Sequence, residues 1–402
     1  MLQSRFRFQI NKQLDNRLAR VGTITTPHGE IKTPAFIAVG TKATVKALTV
    51  EQIKSTGAQA VLSNAYHLYL QPGTETIRQA GGLAKFMNWD GPTFTDSGGF
   101  QVLSLGVGYK KTLALDTTSN ESSQVMAHKS KRLASVDDNG VSFKSHIDGS
   151  KHLFTPELSM QIQHDIGADI IFAFDECTSI MHPLSYQIEA LDRTHAWAVR
   201  CLKEHKKLNK SSSSYQALYG VVQGAHYQEL RVQAAKFMAG LDFDGYGIGG
   251  AIEKANLAKI LQWVNNHLPA NKPRHLLGLS EPDDIFIGIE NGADTFDCVA
   301  PARVARNGSI YTYDGRISIR KNIYANDFSK PAEECNCYTC SNYTKAYLNH
   351  LFRAGERLAA TLATIHNEYF IVHLVDEIRK SILEDRFDVF KKDWLKRYYQ
   401  KN

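Results

Sequence analysis

No apolar run in this 402-residue sequence approaches the roughly 18 consecutive residues that a membrane-spanning helix needs. Its first residues, Met1-Leu2-Gln3-Ser4-Arg5-Phe6-Arg7, lack the apolar stretch of a secretory signal, so a cytoplasmic protein with no membrane partner is expected. Cysteine is scarce, six residues in all. In a reducing compartment six cysteines are better explained as buried thiols, metal ligands or catalytic groups than as disulfides. Extreme charge is absent too. The net value of +6 favours an anionic partner but falls short of a histone-like binder, and a mildly basic globular surface accounts for it equally well.

The hydrophobic share, 43%, is enough to bury one large core or two ordinary ones. From Pro34 onward short apolar runs alternate with longer segments of helical period. Strands are predicted at 35–39, 60–62, 93–95, 170–174, 217–222, 245–248, 275–277 and 295–298, with helices at 50–55, 157–166, 186–206, 227–239, 257–268 and 282–291. Eight such units predict an α/β fold, a (β/α)8 TIM barrel, with a doubly wound open sheet as the alternative. Two segments break the repeat. Residues 106–140, rich in Ser, Thr, Lys and Asp, read as an exposed insertion; their Lys129-Ser130-Lys131-Arg132 run suits either RNA or plain solvent. From about residue 322 a second segment carries three clustered cysteines, followed by a long amphipathic helix from about Lys345. The expected division is therefore a catalytic barrel over 1–321 and a small metal-bearing subdomain with C-terminal helices over 322–402. Residues 207–214 read as a surface loop.

Active sites of such barrels gather at the C-terminal ends of the strands. Polar residues recur there: Asn64, Asp96-Ser97-Gly98-Gly99, Asp175-Glu176-Cys177, Gln223-Gly224, Gly249-Gly250, Gly278 and Asp297-Cys298. A single Asp at a strand end is usually a turn former or helix cap. Three of them, Asp96, Asp175 and Asp297, expected on one rim are harder to explain that way.

The segments Asp96-Ser97-Gly98-Gly99-Phe100-Gln101, Phe174-Asp175-Glu176-Cys177, Val221-Val222-Gln223-Gly224 and Phe296-Asp297-Cys298-Val299-Ala300-Pro301 resemble the signatures of tRNA-guanine transglycosylases of the bacterial queuosine type. So do Asn64-Ala65-Tyr66-His67-Leu68, Ser145-His146-Ile147-Asp148-Gly149-Ser150 and the Cys-x-Cys-x-x-Cys cluster. The resemblance implies an enzyme that exchanges the wobble guanine of tRNA for a 7-deazaguanine base through a covalent aspartyl-ribose intermediate. Asp297 matches the nucleophile and Asp96 the general acid/base. Two carboxyl groups are what base exchange with retention requires. Asp175 matches the residue that binds the purine's pyrimidine edge, beside Cys177. Gln223 and the backbone of Gly250 and Ala251 match groups that meet the base carbonyl, and Leu277 an apolar wall. Asn64 and Gln101 match partners that position Asp96. Arg303 and Arg306 match arginines that contact the anticodon loop, which suits their planar fork, although a solvated turn ending at Asn307-Gly308 would also hold them. The target base must leave the anticodon stack to enter such a pocket.

Cys335, Cys337 and Cys340 offer three soft ligands on a short loop, and His366 is the fourth in the family pattern, with His350 and His373 competing on spacing alone. That set suits a closed, structural Zn2+ site. A homodimer is implied by the resemblance. One departure falls after Gly249-Gly250, where many bacterial members read Leu-Ala-Val-Gly-Glu and this chain reads Ala251-Ile252-Glu253-Lys254. It lies where the substituent of the incoming base would sit, which makes queuine the alternative; Cys177, common in members of the family that take the small aminomethyl base, is the counterweight, and 7-aminomethyl-7-deazaguanine is expected. Other readings are a noncatalytic RNA-binding subunit of the same fold, opposed by the presence of Asp96 and Asp297, an archaeal-type enzyme, opposed by the short C-terminal region, and a zinc hydrolase, which would need histidine-rich strand ends.

Overall fold

The computed structural model describes residues 6–102, 134–210, 212, 214–250 and 252–400. Eight parallel strands, Ala35–Val39 (β1), Val61–Ser63 (β2), Thr93–Thr95 (β3), Ile170–Phe172 (β4), Ala217–Val222 (β5), Gly245–Ile248 (β6), Arg274–Leu277 (β7) and Thr295–Cys298 (β8), close into one barrel in sequence order. The seam pairs β8 with β1, Thr295 opposite Ala35 through Cys298 opposite Ala38, which rules out the open sheet. Such strands are apolar on both faces because each face meets a core. Ile37, Leu62, Phe94, Phe172 and Val221 fill the barrel interior, while Phe36, Ala38, Val61 and Leu218 belong to the core under the surrounding helices.

One end of the barrel is plugged by an antiparallel sheet of Arg7–Gln13, Arg20–Thr26 and Gly29–Thr33, whose Ile24 and Ile31 join the interior cluster. Here carboxylates have structural work. Asp169, Asp244 and Asp294, each at the start of a strand, accept the backbone N–H of Thr93, Leu218 and Arg274 at 2.8, 2.9 and 2.8 Å, and Asp294 also pairs with buried Arg20. These groups satisfy donors that the ladder leaves unpaired at the strand starts. The acidic residues free for chemistry therefore lie at the other end.

The seven helical connections between strands are followed by an irregular eighth. After β8 come a short helix, Ala300–Arg306, a hairpin of Ser309–Thr312 and Gly315–Ser318, and the cysteine segment. Only then does the helix Arg357–Leu383 pack against β1, the helix Val50–Ser55 after β1 and the helix Pro282–Glu290 after β7. It takes the eighth place in the shell, so the cysteine segment is spliced between the last strand and its helix. The single long helix expected from Lys345 is two, Lys345–Ala354 and Arg357–Leu383. Gly355, at φ +76°, supplies the left-handed cap that ends the first. The helix Leu184–Asn209 takes in the first residues of the expected 207–214 loop. Of the 106–140 segment, Ala134–Val136 forms a strand paired with Val141–Lys144, and the Asp138 carbonyl accepts the Trp197 indole N–H at 2.9 Å. Residues 106–133, with the Lys129–Arg132 run, lie outside the described residues.

Candidate active site and metal centre

At the C-terminal mouth the chain leaves β3 directly into Asp96. Its Oδ1 accepts the backbone N–H of Ala65 at 2.8 Å, and its Oδ2 accepts the Gln101 amide at 2.6 Å and the Asn64 amide. Three donors favour the carboxylate, yet burial outweighs them and pushes the group up to about 6, with the Asp297 charge adding to the shift. A carboxyl poised there can give or take a proton near neutral pH.

Asp175 follows β4. Its Oδ2 accepts the Gln223 amide at 2.7 Å and its Oδ1 the Ser97 hydroxyl at 3.3 Å; burial again raises it to about 6. The neighbouring Cys177 thiol is pushed up to about 12 by burial, so it stays protonated and packs as a small apolar group. Gln223, at the end of β5, thus sits between Asp175 and Gly250. A Cβ on Gly250 would lie 2.7 Å from Gln223 Oε1, and the backbone there has φ +101°, so only glycine leaves this wall open. Leu277 ends β7, with its Cδ1 3.3 Å from where a Cβ on Gly249 would be. Ala251 lies outside the described residues.

Asp297 closes the circle from β8, its side chain 14% exposed. Its Oδ1 accepts the Gly278 backbone N–H at 3.2 Å and the His275 imidazole at 3.0 Å. Arg303 and Arg306 stand on the helix Ala300–Arg306 that begins two residues after Cys298, rather than on a turn; Arg303 is exposed, and Arg306 donates to the Ala302 carbonyl at 2.9 Å. Residue reading missed two buried groups of this mouth. His275 has 0% exposure, and a lone histidine in an apolar strand reads as core. Arg231, also 0% exposed, donates to the carbonyls of Val222, Ala225 and Gly249 at 2.8–3.0 Å and so ties the β5 and β6 turns together; nothing in a helix pattern signals that.

The candidate metal centre lies apart, beyond β8. The Sγ atoms of Cys335, Cys337 and Cys340 stand 3.6, 3.4 and 3.2 Å from His366 Nδ1, all four residues buried. A tetrahedral zinc holds sulfur and nitrogen ligands about 3.6 Å apart, so the donor set fits. His366 Nε2–H donates to the Tyr311 carbonyl at 2.7 Å, which leaves Nδ1 unprotonated toward the sulfurs. His373 instead stacks on Tyr369, and His350 lies beside the Tyr347 ring.

A parallel barrel whose mouth brings Asp96, Asp175 and Asp297 together offers the pair of carboxyls that glycosyl transfer with retention needs. The comparisons agree. A family model described as Queuine tRNA-ribosyltransferase matches residues 15–400. Proteins named Queuine tRNA-ribosyltransferase from Desulforamulus reducens and Bacillus subtilis are 45% identical over 393 residues (97% of this chain and 98% of the relative) and 40% identical over 401 residues (99% and 97%). A third so named, from Caldanaerobacter subterraneus, is 45% identical over 396 residues, 98% of each chain. The chain belongs to the queuine tRNA-ribosyltransferase family, a family of pentosyltransferases.

Proposed function

We propose that this protein is a tRNA-guanine transglycosylase that exchanges the wobble guanine of GUN-anticodon tRNAs for 7-aminomethyl-7-deazaguanine on the route to queuosine. The observation that carries the reading is the difference between its carboxyls: Asp96 is buried under three donors and poised near neutrality, while Asp297 presents one oxygen to two donors and, among the described residues, its other oxygen has no hydrogen-bond partner. Asp297 attacks the anomeric carbon as guanine leaves. Asp96 protonates the departing base and takes the proton from the incoming one. Asp175 accepts the N–H groups of the pyrimidine edge, and Gln223 with the Gly250 backbone meets the carbonyl side.

Family membership and the rim arginines support tRNA as the partner, with Arg303 and Arg306 on the anticodon loop. Zinc, held by Cys335, Cys337, Cys340 and His366, supplies a structural cross-link and takes no part in the chemistry. A cytoplasmic homodimer goes with this reading; no described helix is long and apolar enough to cross a membrane.

Two measurements test it. Mass spectrometry of tRNA after incubation with equal concentrations of 7-aminomethyl-7-deazaguanine and queuine should show the small base inserted in excess; a preference for queuine overturns the choice of base. Binding of a guanine-site ligand should strengthen as pH rises from 5 to 7, because Asp175 must ionise through about 6 to accept the edge N–H groups. Asp175→Asn should flatten most of that rise in titration calorimetry, and an unaltered pH profile would count against the assignment. Stability takes the opposite sign. The folded state holds the Asp96 and Asp175 protons more tightly than the unfolded chain does, so their contribution is complete below an unfolded value of about 4 and is lost as pH rises through about 6.

A further inference from the structure

His275 is wholly buried inside the barrel, its ring tilted against Phe94 and Phe172 at 5.7 and 5.2 Å between centroids. Nothing about packing requires a histidine there, since both neighbours are apolar rings. Its two nitrogens are nonetheless both engaged: Nδ1 with the Thr295 hydroxyl at 2.8 Å and Nε2 with Asp297 Oδ1 at 3.0 Å. An ionised carboxylate only accepts, so the Nε2 side must carry the proton. In the neutral ring Nδ1 is then the acceptor, and the Thr295 hydroxyl donates to it, holding that tautomer. Thr295 and Asp297 are two apart on β8 and therefore face the same side of the strand. The neighbouring strand β7 presents His275 to both, and the chain just past its end presents the Gly278 N–H to the same Oδ1 at 3.2 Å. Among the described residues Asp297 Oδ2 has no hydrogen-bond partner.

We propose that His275 is a positioning residue for Asp297: with the Gly278 N–H it clamps Oδ1, leaves Oδ2 as the bond-forming atom, and stabilises the carboxylate that must depart in the second half of the reaction. The inference rests on Asp297 being the nucleophile. In the first half the Oδ2–C1′ bond forms as the C1′–N9 bond breaks, and the electron pair leaves on guanine, which Asp96 protonates. In the second half N9 of the incoming base attacks C1′ after giving its proton to Asp96, and the C1′–Oδ2 pair returns to Asp297. At that moment Oδ1 changes from an ester carbonyl oxygen to part of a full carboxylate. Donors already in place on it are worth most there, because they strengthen as its charge grows. Removing His275 should therefore make the adduct persist.

His275→Phe keeps the ring between Phe94 and Phe172 and deletes both hydrogen bonds. His275→Gln returns one N–H near the Nε2 position. The trapped enzyme–RNA adduct is formed with an anticodon stem-loop in the absence of free base and then chased with 7-aminomethyl-7-deazaguanine, and its decay is followed on denaturing gels. Relative to wild type, H275F should chase about 100-fold more slowly with KM for tRNA changed only a few-fold, and H275Q should recover most of the rate. A wild-type chase rate in H275F, or an H275Q variant no faster than H275F, overturns the proposal. Asp297→Asn, run in parallel, separates the two levels: an adduct surviving in that variant defeats the nucleophile assignment itself, whereas its loss together with an unslowed H275F chase defeats only the role of His275.

Discussion

Asp297→Asn is expected to abolish base exchange, by about 10⁴-fold or more, and to eliminate the covalent enzyme–RNA band on a denaturing gel. The amide oxygen can still accept the Gly278 and His275 donors that hold Oδ1, so the β8 end keeps its geometry and the melting temperature should hardly move. What is lost is the charge. A neutral amide cannot attack the anomeric carbon and later depart as a stable leaving group. Asp96→Asn should behave differently. Its neighbours Asn64, Ala65 and Gln101 all donate to the carboxyl, and an amide turned with its oxygen toward one of them sets its NH2 against another. Turnover should fall while tRNA still binds, and a slow adduct should remain detectable. If Asp297 merely capped a turn, its substitution would change stability and leave turnover per folded molecule nearly intact, and that result would sink the assignment.

The other large effect concerns the metal centre. Cys337→Ala, or prolonged chelation of the wild-type protein, should remove one bound zinc per chain and cost about 5 kcal/mol or more of stability, with melting lowered on the order of 10 °C. The magnitude follows from where the four ligands stand. Three lie on the loop and short helix around 335–340, and the fourth lies on Arg357–Leu383, the helix that completes the barrel shell against β1. Losing the metal leaves the remaining buried thiols and the buried His366 imidazole without a common partner and removes the cross-link to that helix. Metal analysis with calorimetry checks this. Fully active, freshly purified enzyme without zinc, melting at the wild-type temperature, would refute it. The ordering matters too: stability should fail before chemistry, because no metal ligand touches Asp96, Asp175 or Asp297.

How much of this was legible beforehand follows from which interactions are local. The eight strands could be read from the sequence with ends correct to within two residues, because a strand buried on both faces is mostly apolar and ends close to where the chain turns polar. Strand-end placement of Asp96, Asp175 and Asp297 followed from the same reading, and the cysteine spacing announced a metal loop. Spacing alone does not choose among His350, His366 and His373, which all follow the cysteine cluster; the packing of Arg357–Leu383 brings the His366 ring onto the sulfurs. The break after Ala354 escaped because a glycine inside a helical pattern does not reveal its φ. Closure of the barrel, the return of a late helix to the eighth shell position, and the meeting of His275, Gly278 and Asp297 are products of tertiary structure alone. Each joins residues whose sequence neighbours give no sign of the partner, since a hydrogen bond between barrel strands depends on strand register rather than on composition. Sequence by itself determined the repeat, the strand-end carboxyls and the cysteine cluster; three-dimensional packing decided that Asp297 Oδ1 is the oxygen held by His275 and Gly278, because both donors come from the neighbouring strand and the turn after it.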